Sequence, residues 1–100
     1  MPQRQVDFEW SAQKAASNRK KNHVSFEEAE TVFDDAHAYT QKDELHSDEE
    51  SREVIIGYSE RNRLLIVSFV QRGQDHIRIV SARTVTLRER EIYEEAEQSR

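Results

Sequence analysis

The chain has 100 residues, no cysteine and a formal net charge of −5. This length fits one domain spanning 1–100 that buries about 65% of its unfolded surface, and the missing cysteines exclude a disulfide framework, a thiolate nucleophile and a Cys-ligated zinc. No leader-like segment opens the chain, and its longest apolar run, 64–70, is broken by Ser68 and far shorter than the ~20 residues of a membrane helix, so the expectation is a soluble, cytoplasmic protein with no membrane association.

Residues 6–10 alternate apolar and acidic side chains and predict a short edge-type strand. Ser11 suits the N-cap of a helix from Ala12 to about Lys21. On that helix Lys14, Asn18 and Lys21 stand at i, i+4 and i+7, so two ammoniums and an amide share one face, a row suited to an RNA backbone. Asn22-His23 breaks the helix. Ser25 and Glu28 form a capping box for a second helix, with Val24 placed to staple against Ala29. Its apolar positions are Phe26, Ala29, Val32 and Phe33, and it ends near Asp35. Residues 38–41 form a candidate short strand, and 42–51 read as a polar, acidic loop. Two stronger strands follow over 52–59 and 64–71, with turn chemistry at 59–62 and 72–75. Residues 76–82 close an antiparallel meander, and Thr86 with Glu89 opens a final helix through about Gln98. The order β-α-α-β-β-β-β-α favours an α+β domain whose helices cover one face or an edge of an antiparallel sheet.

The charge is unevenly distributed. Residues 14–23 hold four cations and no acid, and 71–90 hold five arginines against Asp75 and Glu89. Between them, 27–53 carry eleven acids against Lys42 and Arg52. If the basic segments converge they form a positive groove, and the acidic stretch, represented by Glu27, Glu28 and Glu30, suits a basic partner.

The last strand places Arg78 within an apolar run and Arg83 at its end. An arginine is rarely buried without a partner, and its planar five-donor fork matches a phosphate. Metal-free RNA cleavage needs a base, an acid and cations for the charge on phosphorus, the cations usually being the largest contribution. Arg78 and Arg83 are the leading cations, with Arg52 third. Because 78 and 83 differ by an odd number, a regular strand sends them to opposite faces; they share a site only if the strand ends near Ser81 or Ala82. His23 and Tyr93 are candidates for proton transfer, though a turn histidine and a core tyrosine explain them equally well. Glu89 is already explained by its capping box. No histidine pair has zinc spacing, and two glycines cannot make a glycine-rich phosphate loop, so neither metal nor cofactor is expected.

Phe8-Glu9-Trp10 with Lys14, Asn18 and Lys21, then Val24-Ser25-Phe26-Glu27-Glu28-Ala29 and Val32-Phe33-Asp34, resemble the BrnT toxins. Arg52, Gly57, the run 78–83, Glu89-Arg90 and Tyr93 continue the likeness in order. The resemblance implies a RelE-like α+β fold and a growth-arresting endoribonuclease. It also implies neutralisation by a DNA-binding, BrnA-like antitoxin, in a heterotetramer that meets DNA only through the antitoxin. One departure stands out: the family's Lys-His-Gly is Lys21-Asn22-His23 here, shifting the imidazole and losing the glycine. Asn22 is the second choice for the left-handed residue that ends a helix, so the chain is expected to turn one residue early. The same departure motivates a rival reading, a catalytically weakened homologue serving as co-repressor with its antitoxin.

Overall fold

A computed structural model describes residues 6–43 and 51–99. Most of the acidic loop, with His46, lies outside the described residues. The elements are β1 (Asp7–Glu9), α1 (Ala12–Asn22), α2 (Phe26–Thr31) extended by a 3-10 turn (Val32–Asp34), β2 (Tyr39–Lys42), β3 (Arg52–Tyr58), β4 (Leu64–Gln71), β5 (His76–Thr84) and α3 (Leu87–Gln98). The α+β expectation holds, and no described helix is long and apolar enough to cross a membrane.

The five strands lie in the order β1-β5-β4-β3-β2. The sheet is mixed rather than antiparallel, because β1 joins the far edge parallel to β5, Glu9 opposing Arg78. Alternation along the strands feeds two cores. Ile55, Leu65, Val67, Phe69, Ile77 and Ile79 meet Val24, Phe26, Ala29 and Val32 of the α1–α2 layer. Ile56 and Leu64 point the other way and meet Tyr93 of α3, with Ile66 and Ile92 packed alongside. Helices therefore cover both faces.

The β4–β5 register contains a bulge. Val70 opposes Arg78 and Ile66 opposes Arg83, but Ser68 pairs with Ser81 while Phe69 pairs with Ile79. Five residues of β4 (66–70) thus face six of β5 (78–83), and Val80 is the extra one. The strand does not end early; it runs to Thr84. The inserted residue cancels the odd spacing and turns Arg78 and Arg83 to the same face.

Two caps differ from expectation. Helix α1 continues through Asn22, and His23 itself takes the left-handed conformation at φ 60° and ψ 32°. The chain therefore turns at His23 and not one residue earlier at Asn22, with a β-carbon in a place that favours none. At α2 only half of the capping box forms: the Ser25 hydroxyl accepts from the Glu28 N–H at 3.0 Å, but the Glu28 carboxylate is committed elsewhere. The α3 box is complete.

Candidate active site

A cavity of about 540 Å³ opens on the α3 side of the sheet. Arg52 and Arg83 stand on its wall, Ser68 and Ser81 on its floor, and Glu89 and Ile92 of α3 close one side. Lys42 lies on the rim, together with Gln41 and Asp43. The register explains the convergence. Arg52 opposes Val70 and Val54 opposes Ser68 on β3–β4, while Ser68 opposes Ser81 and Ile66 opposes Arg83 on β4–β5. Arg52, Val54, Ile66 and Ser68 share this face by alternation, and the bulge at Val80 brings Ser81 and Arg83 onto it together with Arg78.

Arg83 is held at the cavity mouth by α3. Its Nη1 and Nη2 donate to the Glu89 Oε1 and Oε2, both at 2.8 Å, and Nη1 also donates to the Thr84 carbonyl at 3.2 Å. Glu89 completes the cap by accepting the Thr86 N–H at 2.9 Å. The Arg83 hydrogen bond is the main reason the Glu89 carboxyl lies below its ordinary range, against the opposing effect of burial; the Thr86 N–H adds to the lowering. Arg83 is raised in turn, chiefly by Glu89. The pair is ionised, and Arg83 remains 46% exposed, open to an anion from solvent.

Arg78 shares the face but stands outside the cavity wall. Its guanidinium donates to Glu9, whose other oxygen meets His76 Nε2. These two bonds, His76 first, hold Glu9 below the usual glutamate range. Arg78 is thus a neighbour of the cavity tied to the β1 edge.

The row on α1 is divided. Lys14 and Lys21 are exposed, but Asn18 is 6% exposed and turned inward. Pairing of β1 with β5 stops at Arg78, and Asn18 serves the open edge beyond it. Its amide donates to the carbonyls of Ala82 at 2.8 Å and Val24 at 2.9 Å, and its oxygen accepts the Ala82 N–H at 3.1 Å. Asn22, in the family's histidine position, donates to the Ala82 carbonyl at 3.1 Å and to Asn18 Oδ1 at 3.0 Å. Asn18 is a buried clamp for the strand that carries Arg83.

His23 and Tyr93 lie outside the cavity as well. His23 borders a separate hollow with Arg19, Arg61 and Arg63. Tyr93 is 3% exposed, and its hydroxyl donates to Asp35 Oδ2 at 2.9 Å. Burial first, then that bond, push the phenol pKa up.

Of the three glutamates expected on a partner surface, Glu27 is exposed and Glu30 half-buried, its carboxyl raised chiefly by burial. Glu28 is only 4% exposed. Its Oε2 accepts from Ser59 Oγ at 2.7 Å and Arg63 Nε at 2.9 Å, and Oε1 accepts from Arg63 Nη2. The Arg63 bond, more than Ser59, outweighs burial and lowers its pKa. Among the described residues no group of three His, Cys, Asp or Glu side chains could hold a metal ion.

Fold and cavity together define a class: a small α+β protein with two arginines lining an open cavity on one face of its sheet. The profile of the family described as "Ribonuclease toxin, BrnT, of type II toxin-antitoxin system" matches residues 10–89. The chain belongs to this family of ribonuclease toxins, whose partner is an antitoxin and whose target is RNA. The fold is similar to that of the Brucella abortus ribonuclease toxin, BrnT, seen in a 1.1 Å crystal structure, with a TM-score of 0.62 and 18% identity over 81% of this chain and 97% of that one. No curated protein matches the chain. Membership in a family of ribonuclease toxins does not favour the co-repressor reading.

Sequence reasoning missed the floor and rim of the cavity. Ser68 was the available signal, a polar residue inside the most apolar strand. Gln41 and Lys42 carried none, sitting at the edge of an acidic loop.

Proposed function

We propose that the Arg52–Arg83 cavity holds the scissile phosphate of RNA and that cleavage needs no metal ion. The carrying observation is the two-pronged Arg83–Glu89 pair at the mouth of a cavity whose wall also bears Arg52. Two guanidiniums on one wall supply, where charge develops on phosphorus, the stabilisation that a bound cation supplies elsewhere.

An incoming phosphate competes with Glu89 for Arg83. Once Arg83 turns to the phosphate, Glu89 loses the main cause of its lowered pKa and becomes a stronger base beside the ribose. Glu89 then takes the proton of the 2′-hydroxyl, whose oxygen bonds to phosphorus as the bond to the 5′-oxygen breaks. The products are a 2′,3′-cyclic phosphate and a free 5′-hydroxyl, its proton supplied by Lys42 or by solvent. Neither His23 nor Tyr93 takes part.

The test is cleavage of single-stranded RNA by antitoxin-free protein in excess chelator. Wild-type cleavage persists with chelator, Arg83→Ala loses about 10²- to 10³-fold, and Glu89→Gln loses at least about 10²-fold. Cleavage abolished by chelator, or an Arg83→Ala variant at the wild-type rate, defeats the reading. The antitoxin is inferred to bind DNA, to form a two-to-two complex with the toxin in the cytoplasm, and to meet Glu27 and Glu30 with basic residues. Native mass spectrometry of the co-expressed pair checks the stoichiometry.

A further inference from the structure

The cavity is more apolar than a phosphate requires. Arg52 and Arg83 account for anion binding, yet Val54, Ile56, Ile66 and Ile92 line the same compartment. Val54, Ile66 and Ile92 are only half-buried, so apolar surface faces open space beside two charges. Such surface gains nothing from an anion and costs free energy while it stays wet.

The register fixes the layout. One row across the sheet runs Tyr39, Ile56, Ile66, Arg83, and the next runs Gln41, Val54, Ser68, Ser81. Arg83 on β5 and Gln41 on β2 are therefore three strand spacings across and two residues along the strands apart, roughly 16 Å between backbones. Both side chains line the cavity. Between them lie aliphatic side chains with Ile92 of α3 above. A group that is anionic at one end and flat and apolar at the other satisfies both halves.

We propose that the apolar half of the cavity is a nucleobase compartment. One base of the RNA lies against the half-buried side chains of Val54, Ile66 and Ile92, and the Gln41 amide on the edge strand reads that base. The amide offers two donors and one acceptor, so it distinguishes bases by the polar edge each presents. This assignment rests on the phosphate reading of Arg52 and Arg83 and adds to it the source of base preference.

The test measures binding of the four nucleoside 3′-monophosphates and of inorganic phosphate to the purified protein by titration calorimetry. At least one nucleotide binds about tenfold more tightly than phosphate, and the four differ among themselves. Ile92→Ser brings the nucleotide-to-phosphate ratio close to one, and Gln41→Ala levels the four nucleotides. These are ratios within one preparation, so a partly unfolded variant does not distort them. Nucleotides no tighter than phosphate overturn the proposal and leave the isoleucines to an apolar side chain of the antitoxin. A ranking of the four that survives Gln41→Ala overturns the role of that residue. If the ratios hold but RNA is not cut, the base compartment stands and the ribonuclease reading of the cavity fails.

Discussion

At the level of single residues, the groups that fit a local pattern best were the ones most completely redirected by the fold. Glu28 fulfils a capping box by spacing, yet its carboxylate is drawn to Ser59 and to Arg63, 35 positions away. Nothing in a short window signals such a partner. Arg63→Ala leaves a nearly buried carboxylate with one hydroxyl donor, and is expected to cost about 3 kcal/mol in urea denaturation; a cost under about 1 kcal/mol would show the pair to be marginal. The pH dependence follows from four lowered carboxyls, Glu9 with Glu28, Asp35 and Glu89, against one, Glu30, that burial raises. Glu28 and Glu89 lie below 4.5 chiefly through Arg63 and Arg83, and Asp35 lies below 3.8 because the Tyr58 and His37 N–H groups and the Tyr93 hydroxyl outweigh burial. In that range the unfolded chain binds more protons than the folded one, so stability rises with pH there. The contribution is fully present above about pH 5 and is lost as acid protonates the folded-state groups; a melting temperature unchanged between pH 6 and pH 3.5 contradicts this. His23, in a left-handed conformation, gives the opposite kind of prediction. His23→Gly removes a β-carbon strained at φ 60° and is expected to stabilise by about 0.5–1 kcal/mol. A melting temperature that falls instead shows that the imidazole holds more than its backbone position.

At the level of elements, periodicity exposed nearly every helix and strand, while the devices that align them stayed hidden. Strand β4 was legible because eight successive residues are almost all apolar, and α3 because Thr86 and Glu89 cap it reciprocally. The parallel pairing of β1 was not legible, since a three-residue strand carries no sign of its direction. The Val80 bulge was equally silent, and it decides whether Arg83 reaches the cavity or the core. Helix α3 is seated by the Tyr93–Asp35 bond and by the edge-to-face Tyr58–Tyr93 contact at 5.6 Å. Tyr93→Phe keeps the ring contact and the two N–H donors to Asp35 and loses one charge-assisted bond, so the expected cost is about 1.5–3 kcal/mol. RNA cleavage measured well below the melting point should survive in this variant. A hundredfold loss of rate in a folded Tyr93→Phe protein would restore the tyrosine to the chemistry.

At the level of the whole molecule, an acidic protein must attract a polyanion, and geometry decides how. The net charge of −5 repels RNA at long range, so attraction depends on cations gathered within a screening length. The sequence suggested that the α1 lysines and the late arginines form one patch. In the fold, the α1–α2 layer packs against the Ile55–Leu65–Val67 side of the sheet, whereas the Arg52–Arg83 cavity opens on the α3 side. Lys14 and Lys21 are exposed but do not line it. A short RNA seated in the cavity therefore meets about three cations: Arg52, Arg83 and Lys42. With about 0.7 counterions released per contacted phosphate, a trinucleotide that also carries a terminal phosphate, three phosphates in all, should give a slope of about −2 for log affinity against log salt. Replacing Lys14 and Lys21 with alanine should leave that slope in place, and should reduce it only for RNA long enough to wrap around the β5 edge to α1. A trinucleotide whose slope drops by one or more in the double variant would mean that both sets of cations act as a single groove, with the α1 row reaching the substrate over the strand that Asn18 clamps.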